Sequence, residues 1–510
     1  MVNAEKLAAS NPWWTKGHTF SYWDNDLVKL AAYAFQIERQ KIDFKPNNIY
    51  IIKGPRRTGK TVWLKRYIEA QLKNGVDKRA ILYFSFDESA SQTEFSSILR
   101  QFLDAPAASD KKFLLLDEIQ GVDGWDKVLK NLYDSGLLRN VVTVVTGSIA
   151  HLLKNDTLPG RGTEGNVFFI KALNFGDVVN TLLRVDKQAL TTGYALTSGR
   201  LFQNQPVLDT EAEDIGKKLE KDKIDLSENL RTMYKKIDDL LPFQPVLNRL
   251  FMVYLRTGGY PISLNNYFKI EGSKKFAEIE GMIYEEIYSY LKNDAAMISG
   301  KSAGDASLAA KVIDATLKNL GMKVSFSKEA MQMGMNKKTF MSYFARLENS
   351  YAFVNLNGRK KGLVPSSTKK TFFSDIFIHY AAKAASSGMD GQTATEQALN
   401  SSEIGKIVEE VVADHLSKTS ENEPMRRYST YLGFYYENSE IDFIYTRTNG
   451  SILGIESKYQ NEPSTQDVKK SKDIKEYVII TKNKFELIDN VLFVPAPLFL
   501  ALLKKSDHNL

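Results

Sequence analysis

Gly54-Pro55-Arg56-Arg57-Thr58-Gly59-Lys60-Thr61 follows the apolar run Ile49-Tyr50-Ile51-Ile52 and precedes Val62-Trp63-Leu64-Lys65-Arg66-Tyr67-Ile68. The apolar run reads as a buried strand and the segment after the loop as the start of a helix. Between them stands the G-x-x-x-x-G-K-[ST] pattern, in the strand–loop–helix setting it requires. Such a loop turns its backbone N–H groups around phosphate oxygens, and the helix N-terminus adds its positive dipole end. Lys60 is expected to reach the β- and γ-phosphates and the Thr61 hydroxyl to hold Mg²⁺. Gly54, Pro55, Arg56, Arg57, Thr58 and Gly59 complete the cradle, although Arg56 and Arg57 could equally face a partner subunit. ATP or GTP is the expected ligand.

The second half of a nucleotide site lies about sixty residues on. Phe113-Leu-Leu-Leu-Asp117-Glu118 is an apolar strand ending in two carboxylates. Asp117 is placed to reach the Mg²⁺ held by Thr61. Glu118 has the position of a base that orients the attacking water, which argues for hydrolysis rather than holding alone. Ser148 ends the next strand, where a polar side chain could sense the γ-phosphate. Arg161, in Leu158-Pro159-Gly160-Arg161-Gly162, is a candidate arginine finger, in cis or in trans. An ordinary solvated loop arginine is the competing reading.

A chain of 510 residues is too long for one core. Its hydrophobic content of 43% and charged content of 25% are those of an ordinary globular protein. No apolar stretch approaches the roughly 20 residues that span a bilayer, so no membrane partner is expected. The start, Met1-Val-Asn-Ala-Glu-Lys, lacks the layout of a signal peptide. With no Cys there is no disulfide, thiolate zinc site or cysteine nucleophile, and a reduced, cytoplasmic setting fits. The net charge of +7 is unevenly placed. Residues 301–384 hold 14 Lys/Arg against 5 Asp/Glu, whereas residues 401–510 hold 14 against 17.

Strands and helices alternate after the phosphate loop. Residues 80–86, 113–116 and 141–146 read as strands, 95–102 and 125–138 as helices, which implies a parallel sheet covered on both faces. A helix is expected over 26–42. The charged stretch 211–239 reads as helical and solvated, a lid or arm, and Gly258-Gly259-Tyr260-Pro261 as a break. Residues 300–384 then carry three short helical patterns, the third over 337–347, followed by two strand-like runs. Three helices and a hairpin suggest a winged helix-turn-helix. Lys337, Lys338 and Arg346 would lie on its recognition helix, and Arg359, Lys360 and Lys361 on its wing, touching DNA mainly through phosphates. A solvated basic face, or a winged helix used for protein contacts, is the alternative.

Near the C-terminus, Glu440-Ile441-Asp442-Phe443-Ile444-Tyr445 alternates like a strand, and Ile452-Leu-Gly-Ile455-Glu456-Ser457-Lys458 forms a second one. Glu456 and Lys458 share a face there. One Asp, one Glu and one Lys on neighbouring strands can hold a divalent metal and polarise water at a scissile phosphate. Surface salt bridges are the plainer reading. Upstream, Glu409 and Glu410 both flank the apolar stripe of a helix, and periodicity does not choose between them.

The order of these motifs resembles a family. The G-P-R-R-x-G-K-T loop, the Asp117-Glu118-Ile119-Gln120 strand end, Thr146-Gly147-Ser148, the Gly160-Arg161 loop followed by Ala172-Leu173-Asn174-Phe175, and Gly258-Gly259-Tyr260-Pro261 are similar to those of prokaryotic AAA+-like P-loop ATPases with a C-terminal domain of unknown function. The long charged stretch between Leu183 and Asn248 departs from that pattern. The resemblance implies a C-terminal domain like the PD-(D/E)XK nucleases, with Gly405 and Glu409 matching the family's G-x-x-x-E, so that Glu409 joins Asp442, Glu456 and Lys458. The expected α/β architecture is an AAA+/ASCE-like P-loop NTPase core over 1–185, a helical lid over 186–298, a winged helix over 299–384 and a restriction-endonuclease-like domain over 400–510. The expected function is Mg²⁺-dependent ATP hydrolysis coupled to DNA engagement. The alternatives are a nucleotide-dependent switch that binds a protein partner through an inactive nuclease fold, and an ATP-regulated endonuclease. A homo-oligomer is implied only if Arg161 acts in trans.

Overall fold

Five short runs of Val, Ile, Leu and aromatic residues form the N-terminal sheet: β1 Asn48–Lys53, β2 Ile81–Ser85, β3 Lys112–Asp117, β4 Val141–Gly147 and β5 Val167–Phe169. The computed structural model of the chain describes residues 4–510 except 34, 88–89, 109–110, 149–157, 159, 161–164, 184–208, 269, 272–273, 276–278, 299–301, 304, 361–363, 401, 420–427, 438–439, 468–469 and 508–509. The strand order is β2-β3-β4-β1-β5 and the pairings are parallel. Parallel strands covered on both faces need near-continuous apolar sequence. Helices Gln92–Asp104 and Trp125–Asp134 bury Phe95, Leu99, Trp125 and Leu129 on one face. Helix Lys60–Lys73 buries Leu64 and Ile68 on the other, beside Trp13 and Phe20. Since β4 lies between β1 and β3, the phosphate loop and Asp117 open onto the same carboxyl edge of the sheet.

The helix expected over 26–42 ends early, spanning Asn25–Ala31 behind the capping carboxylate of Asp24. Tertiary hydrogen bonds take over the backbone beyond it. Phe35 N donates to Asn265 Oδ1 (2.8 Å), and Arg66 donates to the carbonyl of Ile37 (3.1 Å). These bonds override the local helical pattern.

A helical region follows, with helices Phe175–Leu183, Asp209–Lys221, Leu230–Asp238, Gln244–Thr257, Pro261–Tyr267 and Gly281–Ala296. Two short hairpins flank the last of these helices, β6 Ile270–Glu271 with β7 Lys274–Lys275, and β8 Met297–Ile298 with β9 Ser302–Ala303. The charged stretch 211–239 is not the solvated arm its composition suggests. Ile215, Leu219, Leu230, Met233 and Ile237 recur at helical spacing and are buried in one core with Leu498 and Leu502. The backbone agrees: Ile224 N donates to Leu502 O (2.8 Å), and Arg447 donates to the carbonyls of Leu226 (2.8 Å) and Glu228 (2.9 Å). The charges occupy only the outer face of these helices.

The break at Gly258-Gly259 is a junction. Gly259 N donates to Asp375 Oδ2 (2.8 Å), while its carbonyl accepts from Leu173 N (2.8 Å). A Cβ at Gly259 would sit 2.0 Å from the Leu173 carbonyl oxygen, so only glycine fits this approach. The motif thereby ties the segment after β5 to the C-terminal half.

Helices Ala306–Lys318, Phe326–Gln332 and Lys337–Asn349 then lead into the hairpin of β10 Phe353–Lys360 and β11 Val364–Phe373. Helices Ile376–Ser387, Gly391–Asn400 and Ile404–Thr419 come next. They precede β12 Leu432–Tyr436, β13 Glu440–Thr446, β14 Ile452–Ser457, β15 Glu476–Thr481, β16 Glu486–Ile488, β17 Val491–Pro495 and the buried helix Ala496–Leu502. The hairpin was expected to project as a wing. Instead β10 pairs in parallel with β12, and the hairpin forms one edge of an eight-stranded sheet ordered β11-β10-β12-β13-β14-β15-β17-β16. Residues 299–384 and 400–510 are therefore joined by backbone pairing. That pairing satisfies a strand edge that a free wing would leave open.

Candidate functional site

Helix Lys60–Lys73 begins at Gly59, whose φ of 95° suits glycine and lets the loop turn directly into the helix. Thr58 Oγ1 lies 2.8 Å from the carbonyls of Pro55 and Ile170, fixing the loop against the segment that follows β5. Lys60 Nζ donates to the Pro55 carbonyl (2.9 Å) and stands 3.8 Å from Glu118 Oε1. Thr61 Oγ1 donates to Asp117 Oδ2 at 2.6 Å. The same carboxylate accepts from Tyr83 OH (3.0 Å) and from Thr146 Oγ1. Burial, reinforced by the charge of Glu118, raises the Asp117 pKa against these hydrogen bonds and Lys60.

Glu118 is different. Its backbone is left-handed, with φ 50°. Ser148 Oγ donates to its Oε2 (2.9 Å), and Gln120 Nε2 bonds both Glu118 and Ser148. Burial works to raise its pKa, but the charge of Lys60, the Gln120 hydrogen bond, Arg56 and Ser148 together hold it below the usual value. A carboxylate kept ionised beside the phosphate loop can accept a proton from water. The expected sensor Ser148 touches Glu118, and Arg161 lies outside the described residues. A magnesium nucleotide is the cofactor this fold implies, and the donor set fits it. A hydroxyl (Thr61), a carboxylate (Asp117), an ammonium (Lys60) and a helix N-terminus converge on one edge of the sheet.

Arg56 and Arg57 turn toward helix Gly281–Ala296 of the same chain. Arg56 Nε forks onto Asp294 Oδ1 (3.0 Å) and Oδ2 (3.2 Å). Arg57 pairs with Glu286 and donates to Tyr290 OH (3.2 Å), and both guanidinium groups lie over the Tyr290 ring, 5.3 and 5.4 Å from its centroid. Burial pushes the Asp294 carboxyl up to about 6 despite Arg56. Sequence reading missed all three partners, because they sit on helix Gly281–Ala296, more than two hundred residues from the loop. Arg39 was missed as well. It is half-buried and donates to the carbonyls of Thr58 (3.0 Å), Lys171 (3.0 Å) and Leu510 (2.8 Å), a pattern no motif announces.

The C-terminal candidates also meet. Asp442 Oδ2 accepts from Ser457 N (3.0 Å), and Lys458 Nζ lies 3.2 Å from the fully buried Glu456. Helix Ile404–Thr419 turns Glu409 toward this group, whereas Glu410 points elsewhere, to His379 Nδ1 (2.7 Å) and Phe373 N (3.1 Å). Burial and the charge of Asp442 push Glu409 up to about 8, against Lys370. Lys370 was not foreseen. It rises from β11 with its side chain almost fully buried, 2.6 Å from Glu440 Oε1 and 3.8 Å from both Glu409 Oε1 and Asp442 Oδ1. Lys323 adds a second ammonium 3.0 Å from Glu440 Oε2. Among the described residues, no three His, Asp or Glu side chains are disposed to hold a metal ion. The residues present do not fit the divalent ion that a nuclease-like site implies.

The basic surface is smaller than expected. Lys337 and Lys338 are exposed, and Lys360 is exposed near the Tyr436 ring. Arg346 lies against Tyr343 and 3.4 Å from the Ala295 carbonyl. Arg359 turns inward, donating to Thr430 O (3.1 Å) and Thr446 Oγ1 (3.4 Å), because the strand that carries it is paired into the sheet. Lys361 lies outside the described residues.

Comparison with known proteins gives three matched segments. Residues 46–177 match the model of an AAA domain, and residues 248–390 and 404–499 match two domains of unknown function, DUF8612 and DUF4143. An uncharacterized protein of Haemophilus influenzae is 33% identical over 139 residues, which are 26% of this chain and 34% of the relative. A Methanocaldococcus jannaschii protein, MJ1544, is 32% identical over 164 residues, 29% of this chain and 34% of its own length. The chain thus spans about a third of the curated relatives it matches. A DNA polymerase III gamma-subunit-related protein of Thermotoga maritima superposes with a TM-score of 0.22 at 17% identity, covering 60% of this chain and 96% of its own. Cdc6p of Pyrobaculum aerophilum gives 0.23 at 13%, covering 63% and 82%. Likenesses this distant carry no argument about this chain. Residues 46–177 thus match an AAA domain and carry a P-loop on a parallel sheet, and no helix among the described residues is long and apolar enough to cross a membrane.

Proposed function

We propose that the AAA-type domain hydrolyses ATP with Mg²⁺ and that its nucleotide state governs how residues 306–373 engage DNA. In this reading Lys60 binds the β- and γ-phosphates, Thr61 and Asp117 hold the metal, and Glu118 takes the proton of the attacking water while Ser148 and Gln120 keep its carboxylate aimed. The bound metal supplies charge neutralisation at the phosphates. Arg56 and Arg57 carry the signal outward. One observation carries the coupling: the phosphate loop's two arginines are gripped by Asp294, Glu286 and Tyr290, and the end of that same helix, at Ala295, meets Arg346 of the basic helix. Phosphate oxygens compete with Asp294 and Glu286 for those guanidinium groups, so filling the site shifts helix Gly281–Ala296 and whatever rests on it.

The test is the ATPase rate with and without duplex DNA at about 50 mM salt, where backbone contacts are strong. Stimulation that is lost on raising salt is the expected result. A rate indifferent to DNA, with no DNA binding, removes the nucleic-acid half of the reading. The second reading, a nucleotide-dependent switch for a protein partner, draws support from Arg359, whose donors are engaged by Thr430 and Thr446 of the chain itself.

A further inference from the structure

We infer that the ε-ammonium of Lys370 stands where a nuclease-like site would keep its divalent cation, so that the C-terminal carboxylate cluster binds no metal, cuts no phosphodiester, and serves as the ionic clamp of the hairpin β10–β11. This is independent of the ATPase reading. Of the expected acids, Glu409 and Asp442 each face Lys370 Nζ at 3.8 Å and Glu456 faces Lys458 Nζ at 3.2 Å, ammonium groups that a metal would have to displace. Asp442 bonds the Ser457 backbone and faces Lys370, Glu456 is paired with Lys458, and Glu440 sits between Lys370 and Lys323. Hard divalent ions need several oxygens within about 2.0–2.6 Å of one point. In this cluster a nitrogen, Lys370 Nζ, stands between Glu409 and Asp442, 3.8 Å from an oxygen of each.

Charge makes the same case. Glu409, Glu440, Asp442 and Glu456 face three ammonium groups, Lys323, Lys370 and Lys458. An acid cluster so nearly neutralised attracts a divalent ion weakly. Lys370 is only 1% exposed, and a buried ammonium that loses its carboxylates pays a steep desolvation penalty. It arrives from β11, a strand of the helix–hairpin unit, while Asp442 and Glu440 belong to β13 and Glu409 to helix Ile404–Thr419. The cluster therefore joins three elements by charge at the point where the hairpin meets the sheet.

The deciding experiment is Mn²⁺ binding to the full chain without nucleotide, followed by electron paramagnetic resonance, for wild type, Asp442→Asn, Lys370→Met and the double variant. Metal-dependent nicking of plasmid DNA is measured on the same preparations. Wild type and Asp442→Asn are expected to give superimposable titrations and no nicking that Asp442→Asn removes. Lys370→Met is expected to tighten Mn²⁺ binding by about tenfold or more, a gain of about 1.4 kcal/mol, and Asp442→Asn added to it should abolish that gain. Mn²⁺ binding by the wild type that Asp442→Asn removes overturns the proposal. So does a folded Lys370→Met that gains no Mn²⁺. Should Lys370→Met fail to fold, the comparison of wild type with Asp442→Asn still decides.

Discussion

The two ends of the molecule each place a lysine beside buried or partly buried carboxylates, and they use it in opposite ways. At the nucleotide site Asp117 is held by neutral donors, the hydroxyls of Thr61, Tyr83 and Thr146, while Lys60 bonds a loop carbonyl. At the C-terminal cluster the carboxylates are held by ammonium groups, Lys370, Lys323 and Lys458. A neutral donor orients a carboxylate and leaves its charge to attract a cation. An ammonium spends that charge. Similar inventories of acid and lysine thus build a site ready for a cation in one place and a closed structural clamp in the other.

The largest effects test the first half of that contrast. Lys60→Ala should abolish nucleotide binding, whereas Glu118→Gln should bind ATP and lose turnover by roughly 10²–10⁴-fold, the usual worth of a positioned base. Single-turnover rates beside a binding isotherm separate the two. A Glu118→Gln variant that hydrolyses at the wild-type rate removes Glu118 from its role.

Next comes the clamp. Lys370→Ala removes the ammonium that faces Glu440, Asp442 and Glu409, while Lys323 still faces Glu440. Since these carboxylates are partly buried, the loss should fall below the roughly 3–5 kcal/mol of breaking a fully buried pair. Hydrogen exchange should locate the loss in β10 and β11. Protection unchanged in the hairpin means the cluster is not what holds it.

These two regions also differ in how legible they were. The loop, Asp117 and Glu118 lie at the ends of strands whose apolar runs announce them, so local pattern was enough. Asp442, Glu456 and Lys458 were visible for the same reason. Lys370 was hidden because β11 reads as half of a DNA-facing wing, and only the pairing of β10 with β12, set by chain folding over some eighty residues, turns it into the cluster. Asp294, Glu286 and Tyr290 were hidden on a helix with no motif at all. The buried stripe in 211–239 was masked by its charged neighbours.

A third prediction concerns the core that binds the halves together. His415 accepts from Phe175 N at Nε2 (2.8 Å) and faces the Val411 carbonyl with Nδ1 (2.8 Å), so it is locked as the neutral Nδ1–H tautomer. Burial, with Lys418 nearby, lowers its pKa to about 3. A base whose pKa is lower when folded than the roughly 6.5 of the unfolded chain contributes stability that is complete above 6.5 and lost as pH falls toward 3. The slope approaches about 1.4 kcal/mol per pH unit, so thermal stability should fall by the equivalent of about 2 kcal/mol between pH 6.5 and 5. His415→Gln should flatten that part of the profile. An equal decline in the variant assigns the acid sensitivity elsewhere.

The smallest effect probes the link between the two regions. Asp294→Asn keeps the shape of the side chain and removes its charge, leaving Arg56 a neutral partner. Arg56 is partly exposed, so solvent screens the pair, and the change is expected to be worth about 1 kcal/mol, or roughly fivefold in the KM for ATP or in its stimulation by DNA. Its pH dependence gives the sharper test. The Asp294 pKa is raised to about 6, since burial outweighs the pull of Arg56. A raised acid favours folding below the unfolded value and loses that contribution as pH climbs through 6, so the ionised pair at neutral pH is maintained at a cost in stability. Asp294→Asn should therefore be at least as stable as wild type at pH 7.5 while being the poorer transmitter. Below pH 6 the wild-type carboxyl is itself protonated, and the two proteins should converge in ATPase response. If the difference between them persists unchanged at pH 5.5, the charge on Asp294 is not what connects the phosphate loop to helix Gly281–Ala296.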